Sequence, residues 1–217
     1  SASAIVAGVT LARALIGDAD VLRREEILEI GSQMEGHPDN VAPAVFGGAT
    51  VSWMNDETSE VGSVRLTPPD DIHPVAFIPD FELRTADARA ALPATVPHGD
   101  ASFNVARGAL LAAVLSGNAQ ASGGVDLHSL LMEATRDRLH QEQRRAAMEP
   151  SLALVDWLRG AGFAAVVSGA GPTVLSLESV GADIRRDAAA AGWRVVPMGV
   201  APQGVQITRG SLSKVEF

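Results

Sequence analysis

Between His73 and Val200 the apolar segments come in an order that few folds accommodate: strand, helices, strand, strand, helix, strand. His73 to Pro79 holds a continuous apolar run bounded by prolines, the pattern of a strand buried on both faces. Thr85 to Arg89 opens a short helix that stops before Pro93, and a long helix starts at Asp100 or Ser102 and ends at Ser116, Gly117 and Asn118. Asp126 opens a further helix toward Arg136–Arg145, and another follows Pro150 as far as Arg159. Phe163 to Val167 and Thr173 to Leu177 read as strands around the loop Ser168–Pro172. A helix over Ala182–Ala191 breaks at Gly192, and strands Trp193–Val200 and Gly204–Thr208 complete the chain. This is a split β-α-β arrangement, an antiparallel sheet covered by helices on one face, which makes the fold class α+β. Such sandwiches host many chemistries, so the site has to supply the function.

Ahead of that unit, Ser1 to Ile16 carries Ile5, Val9, Ala12 and Ile16 at helical spacing and reads as a buried helix. Its start, Ser1-Ala2-Ser3-Ala4, suits close approach of an anion to a helix N-terminus, and equally a bare chain end. Asp18 or Asp20 can cap a second helix from Val21 to about Met34, with Glu25, Glu26 and Glu29 on what reads as a solvated acidic face. Strands over Ala49–Trp53 and Ser63–Leu66 flank a turn at Asn55-Asp56-Glu57, and Pro68-Pro69 marks a domain edge.

Composition excludes several classes. With 217 residues, 47% of them hydrophobic, the chain buries a real core as one large or two small domains. A net charge of −9 and a pI near 5.0 argue against nucleic acid and anionic membranes as partners. There is no cysteine, hence no disulfide, thiolate metal site or thiol nucleophile, which suits a reducing cytoplasm. No apolar run approaches the roughly 20 residues of a membrane span. Of the 17 basic residues only Lys214 is lysine. A Walker-type Gly-x-x-x-x-Gly-Lys loop and Schiff-base chemistry are therefore excluded, and any phosphate grip falls to backbone N–H groups, helix N-termini or arginine forks.

Two stretches hold chemistry. Glu35-Gly36-His37-Pro38-Asp39-Asn40 crowds two carboxylates, an imidazole and an amide around a bend; Pro38 extends His37, and Asp39 or Asn40 can cap a short helix containing Pro43. An ordinary turn followed by an N-cap has the same composition. Ser168-Gly169-Ala170-Gly171-Pro172-Thr173 can press backbone against a ligand, or simply close a glycine-rich hairpin. Four arginines between Arg136 and Arg145 would usually mark a wet surface.

Taken in order, Ser1–Gly8, Glu35–Asn40 and Ser168–Thr173 resemble the motifs of the GHMP small-molecule kinases. The His-Pro-Asp-Asn form and Leu139-His140-Gln141…Arg144 are similar to those members that phosphorylate the hydroxyl of L-homoserine with ATP and Mg²⁺, in threonine biosynthesis. The resemblance runs from Ser1 to about Gly210. It implies residues 1–68 as the C-terminal part of an ATP- and Mg²⁺-binding N-terminal domain, and residues 69–217 as a ferredoxin-like C-terminal domain. It implies Ser1 and Glu29 as Mg²⁺ ligands, and Ser1, Ala2, Ser3, Gly169, Ala170 and Gly171 around the nucleotide phosphates. It also implies His37, Asp39, Arg89, Arg144 and Gly169 at homoserine, with Asn40 holding the acceptor hydroxyl and Asp39 competing with direct proton passage to the phosphate as the base. A cytoplasmic homodimer is the form the family suggests. In that family a glycine-rich phosphate loop runs into the first helix, and this sequence begins at the loop's second serine; the expectation is that this polypeptide alone lacks kinase activity while its parent has it. The rivals are another GHMP kinase of mevalonate type and a non-catalytic, amino-acid-binding ferredoxin-like module.

Overall fold

The computed structural model describes residues 2–16 and 23–208. Contacts divide the chain into two units, Ser1–Thr67 with Ala201–Phe217, and Pro68–Val200.

In the first unit, helices α1 (Ala2–Leu15), α2 (Arg24–Glu35) and α3 (Val41–Phe46) pack beside a hairpin of β1 (Ala49–Met54) and β2 (Val61–Leu66). Val6, Ile27, Leu28, Val41, Ala42 and Val45 form the core. Gly31 lets α2 and α3 approach closely: a Cβ there would stand 2.8 Å from Val41 Cγ1. The hairpin pairs Ala49 with Leu66 and Met54 with Val61, and the Asn55 Oδ1 accepts from the Glu57 and Thr58 amides at 2.8 and 3.0 Å. The candidate caps Asp18 and Asp20 lie outside the described residues; α2 starts after Arg23, which makes no side-chain cap.

The expected strand over Gly204–Thr208 is not formed. Residues 201–208 instead pack with the first unit, whereas the resemblance implies a second domain over residues 69–217. The Gly48 amide donates to Ala201 O at 2.7 Å and the Val205 amide to Ala44 O at 2.9 Å. Backbone contacts with a helix end and a loop offer no neighbouring strand to pair with, so the alternation in sequence has nothing to act on.

In the second unit, β3 (Val75–Ile78), β4 (Ala165–Val167), β5 (Val174–Ser176) and β6 (Arg194–Pro197) form one antiparallel sheet in the order β4-β5-β3-β6. The chain order and this strand order together are ferredoxin-like. Helices α4 (Thr85–Ala90), α5 (His98–Leu115), α6 (Leu127–Ala134), α7 (Glu149–Gly160) and α8 (Ala182–Ala190) complete it. Phe77, wholly buried on the central strand β3, meets Met148, Leu152, Val155 and Leu158 in the main core. A second core holds Ile72, Val114, Leu131 and Ala164.

The helix expected to run toward Arg145 stops at Ala134, and the reason is Asp137. Its carboxylate, 13% exposed, accepts from the amides of Leu139 (3.2 Å), His140 (2.8 Å) and Gln141 (2.7 Å) and from Asn104 Nδ2 (2.6 Å). A side chain that takes successive backbone N–H groups removes them from a helix ladder. The chain turns, then makes a 3₁₀ segment over Glu142–Ala147. Burial by itself would push the Asp137 carboxyl up, but the Gln141 amide, the Asn104 side chain and His140 outweigh it and hold the value down at about 2 against an ordinary 3.8.

Two outcomes are expected. Phe77→Ala should cost about 3–5 kcal/mol in denaturant unfolding; a loss below about 1 kcal/mol would contradict its place at the centre of the core. For Asp137 the depressed value means a contribution complete above about pH 4 and lost as pH falls toward 2. The stability gap between wild type and Asp137→Ala should therefore be flat from neutral pH to about pH 5 and shrink by about 1 kcal/mol by pH 3. A gap independent of pH would contradict the turn's dependence on the ionised carboxylate.

Candidate active site

The expected site residues fall in both units, and each set is built by its own local chemistry. In the first unit Gly36 ends α2 in the left-handed region (φ 88°), its amide donating to Ser32 O at 2.8 Å. That backbone favours glycine and turns the chain sharply out of the helix. Pro38 is buried and its carbonyl accepts from the Ala42 amide at 2.8 Å, so the bend leads straight into α3. Neither Asp39 nor Asn40 makes the side-chain cap expected of them. The Asp39 carboxylate turns inward on its own bend: Oδ1 accepts from His37 Nδ1 at 2.6 Å, the Asn40 amide at 2.8 Å and Asn40 Nδ2 at 3.3 Å.

This arrangement has chemical content. A carboxylate can only accept, so His37 carries a proton on Nδ1, and in the neutral ring Nε2 is the acceptor. Asp39, 69% exposed, has one oxygen engaged by three donors and a second with no hydrogen bond among the described residues. His37, Asp39 and Asn40 are thus brought together as a single preorganised set. Glu29, exposed on α2, has no hydrogen bond or ion pair among the described residues. At the start of α1, Ala2 is buried, Ser3 is exposed and the first turn holds no acid, which leaves the orphan N–H groups of a helix start unopposed by a carboxylate. Ser1 lies outside the described residues.

In the second unit the loop Ser168–Pro172 joins β4 to β5. It closes on itself through the Ser168 amide to Thr173 O (2.8 Å) and the Gly171 amide to Ser168 O (3.0 Å). Gly169 and Gly171 both take positive φ (59° and 91°), and the Gly171–Pro172 peptide is cis. A Cβ on Gly171 would stand 2.8 Å from Met148 Sδ. Arg144 is only 8% exposed; its Nε donates to Ala88 O and its Nη1 to Gly169 O, both at 3.1 Å. It therefore links the glycine-rich loop to the end of α4, where the exposed Arg89 follows Ala88 directly. Arg144, Gly169 and the chain bearing Arg89 are drawn together, with two of the Arg144 donors committed to backbone carbonyls.

The bonds by which two further side chains support the loop and its strand have no local signal in the sequence. Ser151, fully buried on α7, donates its hydroxyl to Pro172 O at 2.6 Å. Gln141 Oε1 accepts from the Val167 amide at 2.8 Å. The charge run is not a uniform wet surface either: Arg107, Arg136 and Arg138 surround the Phe103 ring at 3.8, 5.2 and 3.9 Å from its centroid. Arg107 and Arg136 pair with Glu133, and Arg138 with Asp100. Among the described residues no group of three or more His, Asp or Glu side chains forms a metal cluster.

Comparison with known proteins supplies the kinship. The family description "GHMP kinases N terminal domain" matches residues 1–48, and "GHMP kinases C terminal" matches residues 112–191. The homoserine kinase of Streptomyces avermitilis is 43% identical over 95% of this chain and 65% of its own length. That of Corynebacterium kroppenstedtii is 41% identical over 98% of this chain and 67% of its own. The chain thus spans just under two thirds of the length of the Streptomyces relative. The crystal structure of homoserine kinase from Cytophaga hutchinsonii superposes with a TM-score of 0.75 at 23% identity, covering 92% of this chain and 64% of that one. A putative homoserine kinase from Listeria monocytogenes gives 0.69 at 28% identity, covering 97% and 68%. With both family domains matched in order and a relative above 40% identical across two thirds of its own length, this chain belongs to the GHMP kinase family.

Proposed function

We propose that the full-length protein transfers the γ-phosphoryl group of ATP to the hydroxyl of L-homoserine, giving O-phospho-L-homoserine and ADP. The observation that carries this reading is the interlocked His37, Asp39 and Asn40 set, in a chain 41–43% identical to proteins named homoserine kinase. Phosphoryl transfer asks for positioning and charge stabilisation more than covalent help from the protein. An exposed, prearranged cluster of short side chains supplies the positioning. Asn40 holds the acceptor hydroxyl, while the second oxygen of Asp39 takes the substrate ammonium. Arg89 and Arg144 supply cationic charge for the carboxylate end, Arg144 with whatever donors its two carbonyl bonds leave. The hydroxyl oxygen forms the new bond to phosphorus as the bond to the ADP oxygen breaks. Its proton leaves to Asp39 or to the transferring phosphoryl group, and with well-oriented reactants positioning alone can supply roughly 7–11 kcal/mol.

Mg²⁺ when bound would neutralise polyphosphate charge. It is commonly held by one or two carboxylates together with substrate phosphates and water, so the lone exposed Glu29 fits it and no multi-residue cage is needed. Ser1 is proposed as its second protein ligand. Ala2 and Ser3 at the start of α1, with Gly169, Ala170 and Gly171, are proposed to meet the nucleotide phosphates through backbone N–H groups, in keeping with a chain almost devoid of lysine. We propose a cytoplasmic homodimer as the working form. Among the described residues no helix is long and apolar enough to cross a membrane.

A coupled ADP-release assay on the full-length protein tests this. Asn40→Ala should lower kcat about a hundredfold with a smaller change in the KM for homoserine, since its bond matters most in the transition state. Glu29→Ala should raise the Mg²⁺ concentration needed for half-maximal rate by about tenfold or more. Activity unchanged in both variants would overturn the site assignment.

A further inference from the structure

The support of the glycine-rich loop suggests a residue role that the proposed reaction does not yet include. Strand β4 lies at the edge of the four-stranded sheet, with β5 as its only strand partner among the described residues. At an edge, alternate N–H and C=O groups face away from the neighbouring strand and need another partner. The Ser168 amide points inward, donating to Thr173 O across from β5. The preceding Val167 amide points outward, and its partner is a side chain, Gln141 Oε1 at 2.8 Å.

That acceptor is not free to wander. The Gln141 amide is bound by Asp137 Oδ2 at 2.7 Å, and the His140 amide by the same oxygen at 2.8 Å. Asn104 on α5 fixes the turn twice, through Nδ2 to Asp137 Oδ1 at 2.6 Å and through Oδ1, which accepts from the Arg138 amide at 2.9 Å. Three residues further on, Arg144 reaches Gly169 O from the same turn of chain. The last strand residue before the loop and the loop's first glycine are therefore both anchored to the segment that Asp137 organises.

We propose that Gln141, held in place by the Asp137 turn, is a positioning residue for the phosphoryl-transfer site: by taking the Val167 N–H it fixes the point and direction at which Ser168–Pro172 leaves the sheet. This rests on the functional reading above, in which Gly169–Gly171 face the ligands. Losing the acceptor leaves a half-buried N–H without a partner and lets the loop's departure shift. A shift of this kind weakens contacts made by the loop to bound substrate in ground and transition states alike, so its kinetic mark is a raised KM with a smaller change in kcat.

The test uses two variants and two readouts. Gln141→Leu keeps the approximate volume and removes the acceptor, whereas Gln141→Glu keeps an oxygen in the same place. Amide hydrogen exchange of Val167, followed by NMR, should be slow in wild type and Gln141→Glu and at least tenfold faster in Gln141→Leu. In the full-length enzyme the KM for ATP, whose phosphates the loop is proposed to meet, should rise about tenfold in Gln141→Leu with kcat within about threefold, and Gln141→Glu should restore it substantially. Unchanged Val167 exchange in Gln141→Leu would overturn the proposal. So would faster exchange with kinetics like wild type, or a Gln141→Glu variant as impaired as Gln141→Leu. Wild-type protein that phosphorylates no homoserine, while Val167 exchange still responds to Gln141→Leu, would instead overturn the functional reading and the catalytic part of the role with it.

Discussion

The carboxylate of Asp137 accepts from three backbone amides in a row and from Asn104, and much of the arrangement around the Ser168–Pro172 loop follows from that saturation. Without it, the run from Arg136 to Arg145 would have every reason to continue as a charged helix. With it, the chain turns and delivers Gln141 and Arg144 to the loop, while Met148 lies against Gly171 and Ser151 holds Pro172. One loop of five residues is thereby gripped by Arg144, Met148 and Ser151, and the strand residue before it by Gln141, all from a stretch of eleven residues. Side chains hold what the sheet cannot, because a tight glycine-rich connection at an edge strand has few backbone partners of its own.

The first unit solves a comparable problem with less. His37, Asp39 and Asn40 lock one another, so the bend after α2 does not rely on distant support. The donors converge on one carboxylate oxygen and leave the rest of the cluster outward. Preorganisation of this kind is what a reaction governed by placement requires, since groups that are already oriented need not be ordered when the substrate arrives. Gly36 and Pro38 shape the bend, and Glu29 stands upstream on the helix that the bend terminates.

Elements with a regular period were legible in the sequence: helix α1, the strands β1 and β2 and the buried run of β3 all declared themselves through local pattern. But α1 buries Ala2, Val6 and Thr10 in place of the expected face of Ile5, Val9, Ala12 and Ile16, and Ile16 is 75% exposed. The order of strands and helices after His73 was enough to reach an antiparallel α+β unit. The family was legible as well, through the resemblance of whole motifs more than through spacing, because His-Pro-Asp-Asn by itself is also a common turn. What stayed hidden were bonds between a side chain and a distant backbone group. Gln141 meets Val167 across 26 positions, and Arg144 meets Ala88 across 56. Neither leaves a periodic trace. The same holds for the return of residues 201–208 to the first unit, where an alternating sequence meets a helix end and a loop in place of a strand. Asp39 and Asn40 show the limit in miniature: both have the chemistry of a helix cap, and the bend uses them on each other.

Phosphoryl transfer to homoserine is the function proposed for these residues. Its most direct test is ³¹P NMR of the full-length protein incubated with ATP, Mg²⁺ and, in separate samples, L-homoserine, mevalonate and shikimate. The account predicts a phosphomonoester signal accumulating with homoserine, stoichiometric with ADP, and at least a hundredfold faster than with either other alcohol. Homoserine consumed no faster than mevalonate or shikimate would contradict it.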